Sequence, residues 1–490
     1  MPPRGLPGNA NLEQLKNGAK SFQRAVRAGD SGAAELVREF HPRLGNARPG
    51  SSELDGFSRS DALLVVARSF GFASWPKLRA HLETAVRHAR SPHAPVDEDR
   101  ESLADRFLRL ACLTYGGDDP ARWQQARELL AAHPELATAS IHTIAATGDV
   151  AAARELLTDD PGQASAQGGP HDWEPLLYLT YSRLGVGDPV EVARLLLDHG
   201  ADSNAGYMWE GLSPPFTALT GAFGSGEGGP PRHPQWEPLA RVLLDAGADP
   251  NDEQTLYNCH WDADDDWLQL LFEYGLGSGD GGPWHRLLAP AHATPAEMLE
   301  DQLIAAAHHG FTSRVRLLLD HGVDPEGLGT RHPIYQGRSP SEDAAISGHP
   351  EIVAMLARAG ARSGQDDLHR FMAGCMVADH ATVEQLLRDD RTLVQRAIAR
   401  HPDQIVRAAE TERLDAVALL IELGFDVNAM NRSAPLHEAA MRGNLELIDL
   451  LLVHGADPNQ RDRSYDATPA GWADHHNQSE AQERLSRLET

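Results

Sequence analysis

The feature that most constrains this chain is a leucine run that ends in a glycine and keeps returning. Leu195-Leu196-Leu197 leads to Gly200, Leu243-Leu244 to Gly247, Leu270-Leu271 to Gly275, and Leu317-Leu318-Leu319 to Gly322. Met355-Leu356 leads to Gly360, Leu419-Leu420 to Gly424, and Leu450-Leu451-Leu452 to Gly455. Apolar residues at this spacing form one buried stripe of a short helix, and the glycine caps it in a left-handed turn. Successive glycines are 47, 28, 47, 38, 64 and 31 residues apart. A single core for 490 residues would be unusual, whereas a stack of such units has no size limit.

The last copy is the most complete. It begins at Pro435-Leu436-His437-Glu438-Ala439-Ala440, turns at Gly443, and runs through Ile448, Leu451 and Leu452 to Gly455-Ala456-Asp457-Pro458-Asn459. Proline suits a helix start, small alanines let the first helix approach its neighbours, and Asp-Pro-Asn suits the β-turn of a projecting finger. This stretch resembles one complete ankyrin repeat, and the chain resembles bacterial ankyrin-repeat proteins. The resemblance implies an all-α ankyrin-repeat solenoid of helix-turn-helix pairs with β-hairpin-like fingers and a helical N-terminal cap. An ankyrin period is about 33 residues. The gap of 64 therefore hides one more unit, with Leu386-Leu387 in its second helix, and the gaps of 47 carry insertions. Further copies lie at Ile141–Gly148 with Leu156-Leu157, and at Leu129-Leu130, where His133-Pro134 replaces the glycine. Thr468-Pro469-Ala470-Gly471 opens a closing polar unit. The expected array spans 96–490, holds about ten repeats, and carries insertions near 203–236 and 277–300.

Residues 1–95 read as a separate helical region. Ser21–Phe40 is expected to be a helical pair broken at Gly29-Asp30, and Ala62–Phe70 another helix. Ser74 is placed as N-cap of a helix with Pro76 just inside it, and Leu78, Leu82 and Val86 as its buried stripe. The segment Gly71–Leu78 is similar to one that precedes bacterial ankyrin arrays. The expected role is a cap over the first repeat, joined by a linker at 91–100.

Charge narrows the partners. With 71 acidic and 44 basic residues the net charge is −27, which argues against nucleic-acid binding and against attraction to anionic membrane. No apolar run reaches spanning length, and Met1–Lys20 holds no hydrophobic signal segment. Cys112, Cys259 and Cys375 are far apart and read as free thiols of a reducing cytoplasm. Only Lys16, Lys20 and Lys77 are lysines, which suggests a bacterium with a GC-rich genome.

Most of the 24 histidines fall in repeat slots. His142 and His437 occupy a first-helix position where the imidazole bridges adjacent repeats. No His-Glu-x-x-His or Cys-x-x-Cys pattern occurs, so neither a metal nor another cofactor is expected. No nucleophile elbow, P-loop or triad motif is present, so no catalytic residue is assigned. Asp262, Asp264 and Asp266 alternate as calcium ligands would, but they lack the loop glycine and distant glutamate, and suit a helix start instead.

The chemically rich stretch is central. Tyr207, Trp209 and Glu210 fall in a long finger, and Asp252, Tyr257, Asn258, Trp261 and Asp262 fall on or beside a first helix. These eight are the expected partner-binding residues. An aromatic floor with an acidic rim suits a cationic or amphipathic partner. The function expected is a monomeric cytoplasmic protein-interaction module, an adaptor or regulator with an unknown protein partner. An enzyme or small-ligand protein using the groove from Trp209 to Trp267 is the competing class. A fallback binding surface lies at Arg331, Tyr335 and Arg338, or at Arg461 and Tyr465.

Overall fold

Proline opens and glycine closes the helices of a repeat, and this punctuation sets the architecture. The computed structural model describes residues 6, 10–97, 100–331, 334–335, 337–362 and 366–489. Glu98 and Asp99 of the expected linker lie outside them. Pro435 stands in the first turn of the helix Pro435–Arg442, where its missing N–H is not needed. Gly443 ends that helix at φ 67°, and a Cβ there would collide with the side-chain amide of Gln478. Asn444 caps the next helix, Leu445–Val453, its Oδ1 accepting from the Leu447 N–H at 3.1 Å. Leu447, Ile448 and Leu451 of that helix are buried. All seven glycines of the recurring run lie at φ between 80° and 102°.

The N-terminal region contains α1 (Leu12–Arg27), α2 (Ser31–Phe40), α3 (Ser52–Asp55), α4 (Arg59–Ser69) and α5 (Trp75–His88). Helix pairs follow: α6 (Leu103–Ala111) and α7 (Pro120–Ala132), α8 (Ile141–Thr147) and α9 (Val150–Asp159), α10 (Pro175–Tyr181) and α11 (Pro189–Asp198). Next come α12 (Ala218–Phe223) and α13 (Trp236–Asp245), then α14 (Glu253–Cys259) and α15 (Asp266–Glu273). After the lone α16 (Gly282–Leu288) stand α17 (Pro295–His309) and α18 (Thr312–Asp320), α19 (Pro340–Ser347) and α20 (Pro350–Arg358), α21 (Asp367–Met376) and α22 (His380–Asp389). The lone α23 (Leu393–Arg400) precedes α24 (Gln404–Glu410) and α25 (Leu414–Glu422), α26 (Pro435–Arg442) and α27 (Leu445–Val453), α28 (Pro469–His475) and α29 (Ser479–Ser486). That makes eleven pairs among the described residues, close to the number expected. The long glycine gap holds α21 and α22, with α23 added.

The chain forms two compact units, Met1–Met298 and Leu299–Thr490. In the first, α8, α10 and α12 pack side by side, as do the second helices α9, α11 and α13. The helices before α5 have their own core around Val26, Val37, Phe57 and Val65. A small sheet joins this region to the repeats. Strand β1 (Ala89–Arg90) runs parallel to β2 (Gly206–Trp209), with Ala89 opposite Met208 and Arg90 opposite Trp209. Strand β3 (Phe216–Thr217) is antiparallel to β2, with Tyr207 opposite Phe216. Helix α5 packs on β2 and α16, and Ala85, Met208, Trp284 and Leu288 share one core.

Three expectations change here. Of the N-terminal helices, α5 packs on the finger insertions at β2 and α16, where Ala85 shares a core with Met208, Trp284 and Leu288. Val86, expected in the buried stripe, is 78% exposed, since α5 turns Leu78, Leu82 and Ala85 inward instead. Ser74 is the N-cap residue of α5 as expected, in extended backbone, although its side chain makes no capping bond. The insertion near 203–236 is interrupted by α12, a repeat's own first helix, so it consists of a finger and a loop. The one near 277–300 contains α16 and the start of α17, where Thr294 and Glu297 form a reciprocal cap.

In the second unit α19 packs on α21, and α26 packs between α24 and α28. Asp343 on α19 is fully buried and accepts from Arg338 at 3.1 Å and from His308 at 3.2 Å. Glu342 accepts from Arg400 at 2.9 Å, and Gln404 donates to the Ile346 carbonyl.

Candidate functional site

Period-two alternation places Tyr207 and Trp209 on one face of β2 and Met208 on the other. Gly206 is required beside β3, since a Cβ there would press on the Phe216 carbonyl and on the ring of Trp284. The Tyr207 ring is 2% exposed and stacks on Trp173 at 4.9 Å and on Phe216 at 5.6 Å. Tyr181 and Tyr178 continue this aromatic block. Trp209 is half-buried. Its Nε1 donates to the Thr114 carbonyl at 3.1 Å, and its ring stacks on His93 at 4.4 Å. Glu210 is exposed and lies 3.2 Å from the His93 Nε2, while its N–H donates to the Arg90 carbonyl. The strap of residues 89–93 therefore holds the finger from outside.

The second group stands at the end of α14. Asp252 caps this helix by accepting from the Thr255 N–H at 2.9 Å, and its other oxygen accepts from the Thr217 hydroxyl. Burial raises its carboxyl above the ordinary value, against the hydrogen bonds from Thr217 and Thr255 that lower it. Asn258 is 2% exposed, and its Oδ1 accepts from Gln254 at 2.8 Å. Tyr257 is half-buried and donates to Glu227 Oε1 at 2.7 Å. Its ring meets His260 and Trp261 edge-on, at 5.0 and 6.3 Å. Asp262 accepts from the Ser225 hydroxyl at 2.7 Å, and Arg232 reaches Asp262 at 3.4 Å and Asp264 at 2.9 Å. The Arg232 guanidinium also lies over Trp236, 4.9 Å from the ring centre.

The eight expected residues thus divide. Trp209 and Glu210 belong to the finger under the strap. Tyr257, Trp261 and Asp262 meet at the edge of α14, all half-buried. Tyr207, Asp252 and Asn258 are buried instead, because ring stacking, helix capping and an amide bond hold them inside. Sequence reading missed His93, Ser225, Glu227 and Arg232, which complete the two groups. The last three sit in the glycine-rich loop after α12, whose residues have no repeat pattern to align them. In the fallback surface at Arg338, both Arg338 and Tyr335 are buried, whereas Arg461 and Tyr465 are exposed.

Two expected repeat histidines bond as the pattern implies. His142 Nε2 meets the Ala166 carbonyl at 2.8 Å and His437 Nε2 meets that of Ala467 at 3.1 Å, each spanning to the next finger. None of the three cysteines is in a disulfide and all are buried, and burial pushes the Cys112 and Cys375 thiols up to about 12, so neither is poised as a nucleophile. No helix among the described residues is long and apolar enough to cross a membrane.

Comparison with known proteins gives the scaffold its class. The family described as ankyrin repeats, in three copies, matches residues 371–462. The ankyrin repeat and KH domain-containing protein mask-1 of Caenorhabditis elegans is 27% identical over 190 residues, 37% of this chain and 7% of that protein. The 2-5A-dependent ribonuclease of Mus musculus is 35% identical over 78 residues, 15% of this chain and 10% of that protein. Cyclin-dependent kinase 4 inhibitor B of Bos taurus is 36% identical over 78 residues, 14% of this chain and 59% of that protein. The chain spans less than two-thirds of the length of each of these relatives. Ankyrin repeats are present, and the fold class is the all-α ankyrin-repeat solenoid.

Proposed function

We propose that the chain is a protein-interaction module, an adaptor or regulator, that holds a cationic or amphipathic partner segment against the central aromatic and acidic residues. The observation that carries this reading is the edge of α14, where Tyr257 and Trp261 stand half-buried beside Glu227, Asp262 and Asp264. Arg232 already sits between two of these carboxylates and over Trp236, so the site favours a guanidinium in that position. A partner arginine would compete with Arg232 or extend its network. Trp209 and Glu210 are proposed as a second contact, with Tyr207, Asp252 and Asn258 setting the backbone behind both groups. The repeat relatives support protein binding as the general role. The proposal includes a monomer in a reducing bacterial cytoplasm; the lack of a disulfide between Cys112, Cys259 and Cys375 supports the reducing compartment, and the presence of only three lysines among 44 basic residues supports the bacterial source.

The test is binding of a fluorescein-labelled arginine- and leucine-containing dodecapeptide to the full chain. Trp261→Ala and Asp262→Asn should each weaken it, more at low salt than at high salt for the charge change. Unchanged affinity in both variants, with wild-type melting, would remove this edge as the binding face.

A further inference from the structure

The last two fingers of the second unit are hydrogen-bonded to each other and carry three exposed arginines. Asp462 is 4% exposed and organises the finger from within. Its Oδ1 accepts from the N–H groups of Ser464 and Tyr465, both at 2.7 Å, and its Oδ2 from the Ala467 N–H at 2.9 Å and Trp472 Nε1 at 3.0 Å. Burial disfavours this carboxylate, but those hydrogen bonds outweigh burial and hold it at about 2. The finger before it is tied on by several links, among them Asn428 Nδ2 donating to the Gly455 carbonyl at 3.0 Å. The Arg463 N–H donates to the Arg432 carbonyl at 3.0 Å, Gln460 donates to the Asn428 carbonyl at 3.0 Å, and the Asp457 N–H donates to Asn428 Oδ1 at 2.8 Å.

With Asp462 turned inward, Arg432, Arg461, Arg463 and Tyr465 are exposed, the tyrosine at 76%, beside exposed Ser464 and Asp466; Asp426 and Asp457 are exposed too, but each accepts from a backbone N–H of its own turn, that of Asn428 or Asn459. Acidic residues outnumber basic ones 71 to 44 in this chain, yet no ion pair of Arg432 or Arg463 is found among the described residues, and the Arg432 guanidinium lies over the Trp472 ring, 5.9 Å from its centre. Arg461 donates to the Asp466 carbonyl and lies 3.6 Å from its exposed carboxylate. An exposed pair of that kind contributes little and exchanges readily. Arginine and tyrosine are the residue types that most often anchor an interface, and a pre-ordered backbone lowers the cost of using them.

We infer that Arg432, Arg461, Arg463 and Tyr465 form a second interaction surface, and that it takes a short acidic protein segment. Charge complementarity selects this occupant. The guanidinium groups match carboxylates in bidentate geometry, and the tyrosine offers a flat apolar face beside them. A short peptide can be held within reach of the three arginines. A nucleic acid extends its charge past the patch, where a protein of net charge −27 repels it. This surface goes beyond the proposed binding of a cationic segment, since it has the opposite charge and different residues.

The experiment is fluorescence anisotropy of the full chain with a fluorescein-labelled dodecapeptide of alternating glutamate and leucine. A serine-leucine peptide and a short DNA duplex serve as competitors. Binding of the glutamate peptide should weaken strongly as NaCl rises from about 50 to about 300 mM. The charge reversal Arg432→Glu with Arg461→Glu and Arg463→Glu should weaken it at least tenfold, and Tyr465→Ala should weaken it several-fold with unchanged melting. If the triple variant fails to fold, Tyr465→Ala alone decides. Trp261→Ala should leave it unaltered, which separates this surface from the one at α14. Equal binding of the glutamate and serine peptides, equal binding by the variants that fold, or tighter binding of the duplex would each overturn the inference.

Discussion

Two fingers occupy the same place in the repeat and are built in opposite ways. In the finger at 203–217 the rings point inward. Tyr207 stacks between Trp173 and Phe216, Met208 packs under Ala85 and Trp284, and His93 covers Trp209. In the finger at 457–468 a buried carboxylate does the organising, and Tyr465, Arg461 and Arg463 face outward. An aromatic strand buries surface but needs a cover, here supplied by α5 and the strap. A carboxylate that satisfies four donors orders a loop locally and leaves its neighbours for recognition. The first design makes a finger part of the fold, and the second makes it available to a partner.

Tyr207→Ala is the sharpest way to break that contrast. Removing a buried ring from the block with Trp173, Tyr181 and Phe216 should destabilise the first unit by about 3–5 kcal/mol. Urea unfolding followed by hydrogen exchange over 166–217 would measure it. A loss within experimental error would mean that the finger is not held by its rings.

Acid should destabilise both regions before it reaches Asp462. Burial lowers His81, His88, His142, His171, His233, His292, His309, His349, His401 and His437 below the ordinary imidazole value, with His171 and His233 at about 3 and His309 and His401 at about 4. Such a histidine takes its proton in the unfolded chain near pH 6.5, well before it does so in the fold. Its contribution is therefore present above that value and is lost as pH falls toward 4. Glu174 and Glu253, raised by burial to about 7, have the opposite sign over the same window, as does Asp252, but they are fewer. Melting temperature should fall by several degrees between about pH 7 and pH 5. A rise would show that the carboxyls dominate.

Asp462→Ala should cost less than Tyr207→Ala, about 1–3 kcal/mol, because it orphans the Trp472 Nε1 and three backbone donors that water can partly reach. Its carboxyl lies below the unfolded value, so the stability it supplies is present above about pH 4 and is lost as pH falls through about 2. The last finger should hold its amide protection at about pH 5. Early loss there, with the Asp462 carboxylate still ionised, would assign its order to something else.

Much of the scaffold was legible because its signals are local. A glycine after a leucine stripe, a proline at a helix start and a histidine at a fixed slot each act within a few residues, and the seven glycines, Pro435, His142 and His437 behave as their positions imply. The candidate site was legible only in part. Trp209 and Tyr207 are two residues apart on a strand, yet one meets the strap and the other the core. That difference depends on partners about 115 and 35 residues away, which no local pattern announces. Asp252 and Asp262 look alike in sequence. One caps a helix beneath Thr217 and the other lies at the surface beside Arg232, and only the packing of α12 against α14 separates them.

The smallest expected effect sharpens the comparison most. Tyr465→Ala removes a ring that is 76% exposed, so it leaves no cavity and no buried donor without a partner. Stability should stay within about 0.5 kcal/mol of wild type. The Tyr465 N–H still donates to Asp462, because that bond belongs to the backbone and survives the substitution. A tyrosine at one finger should thus be dispensable for folding while Tyr207 at the other is not, although both sit in fingers of the same repeat architecture. Thermal unfolding of the two variants side by side decides the matter. If Tyr465→Ala lowered the melting temperature as far as Tyr207→Ala, the last finger would also be held by its ring, and its outward face would be structure rather than a surface kept for a partner.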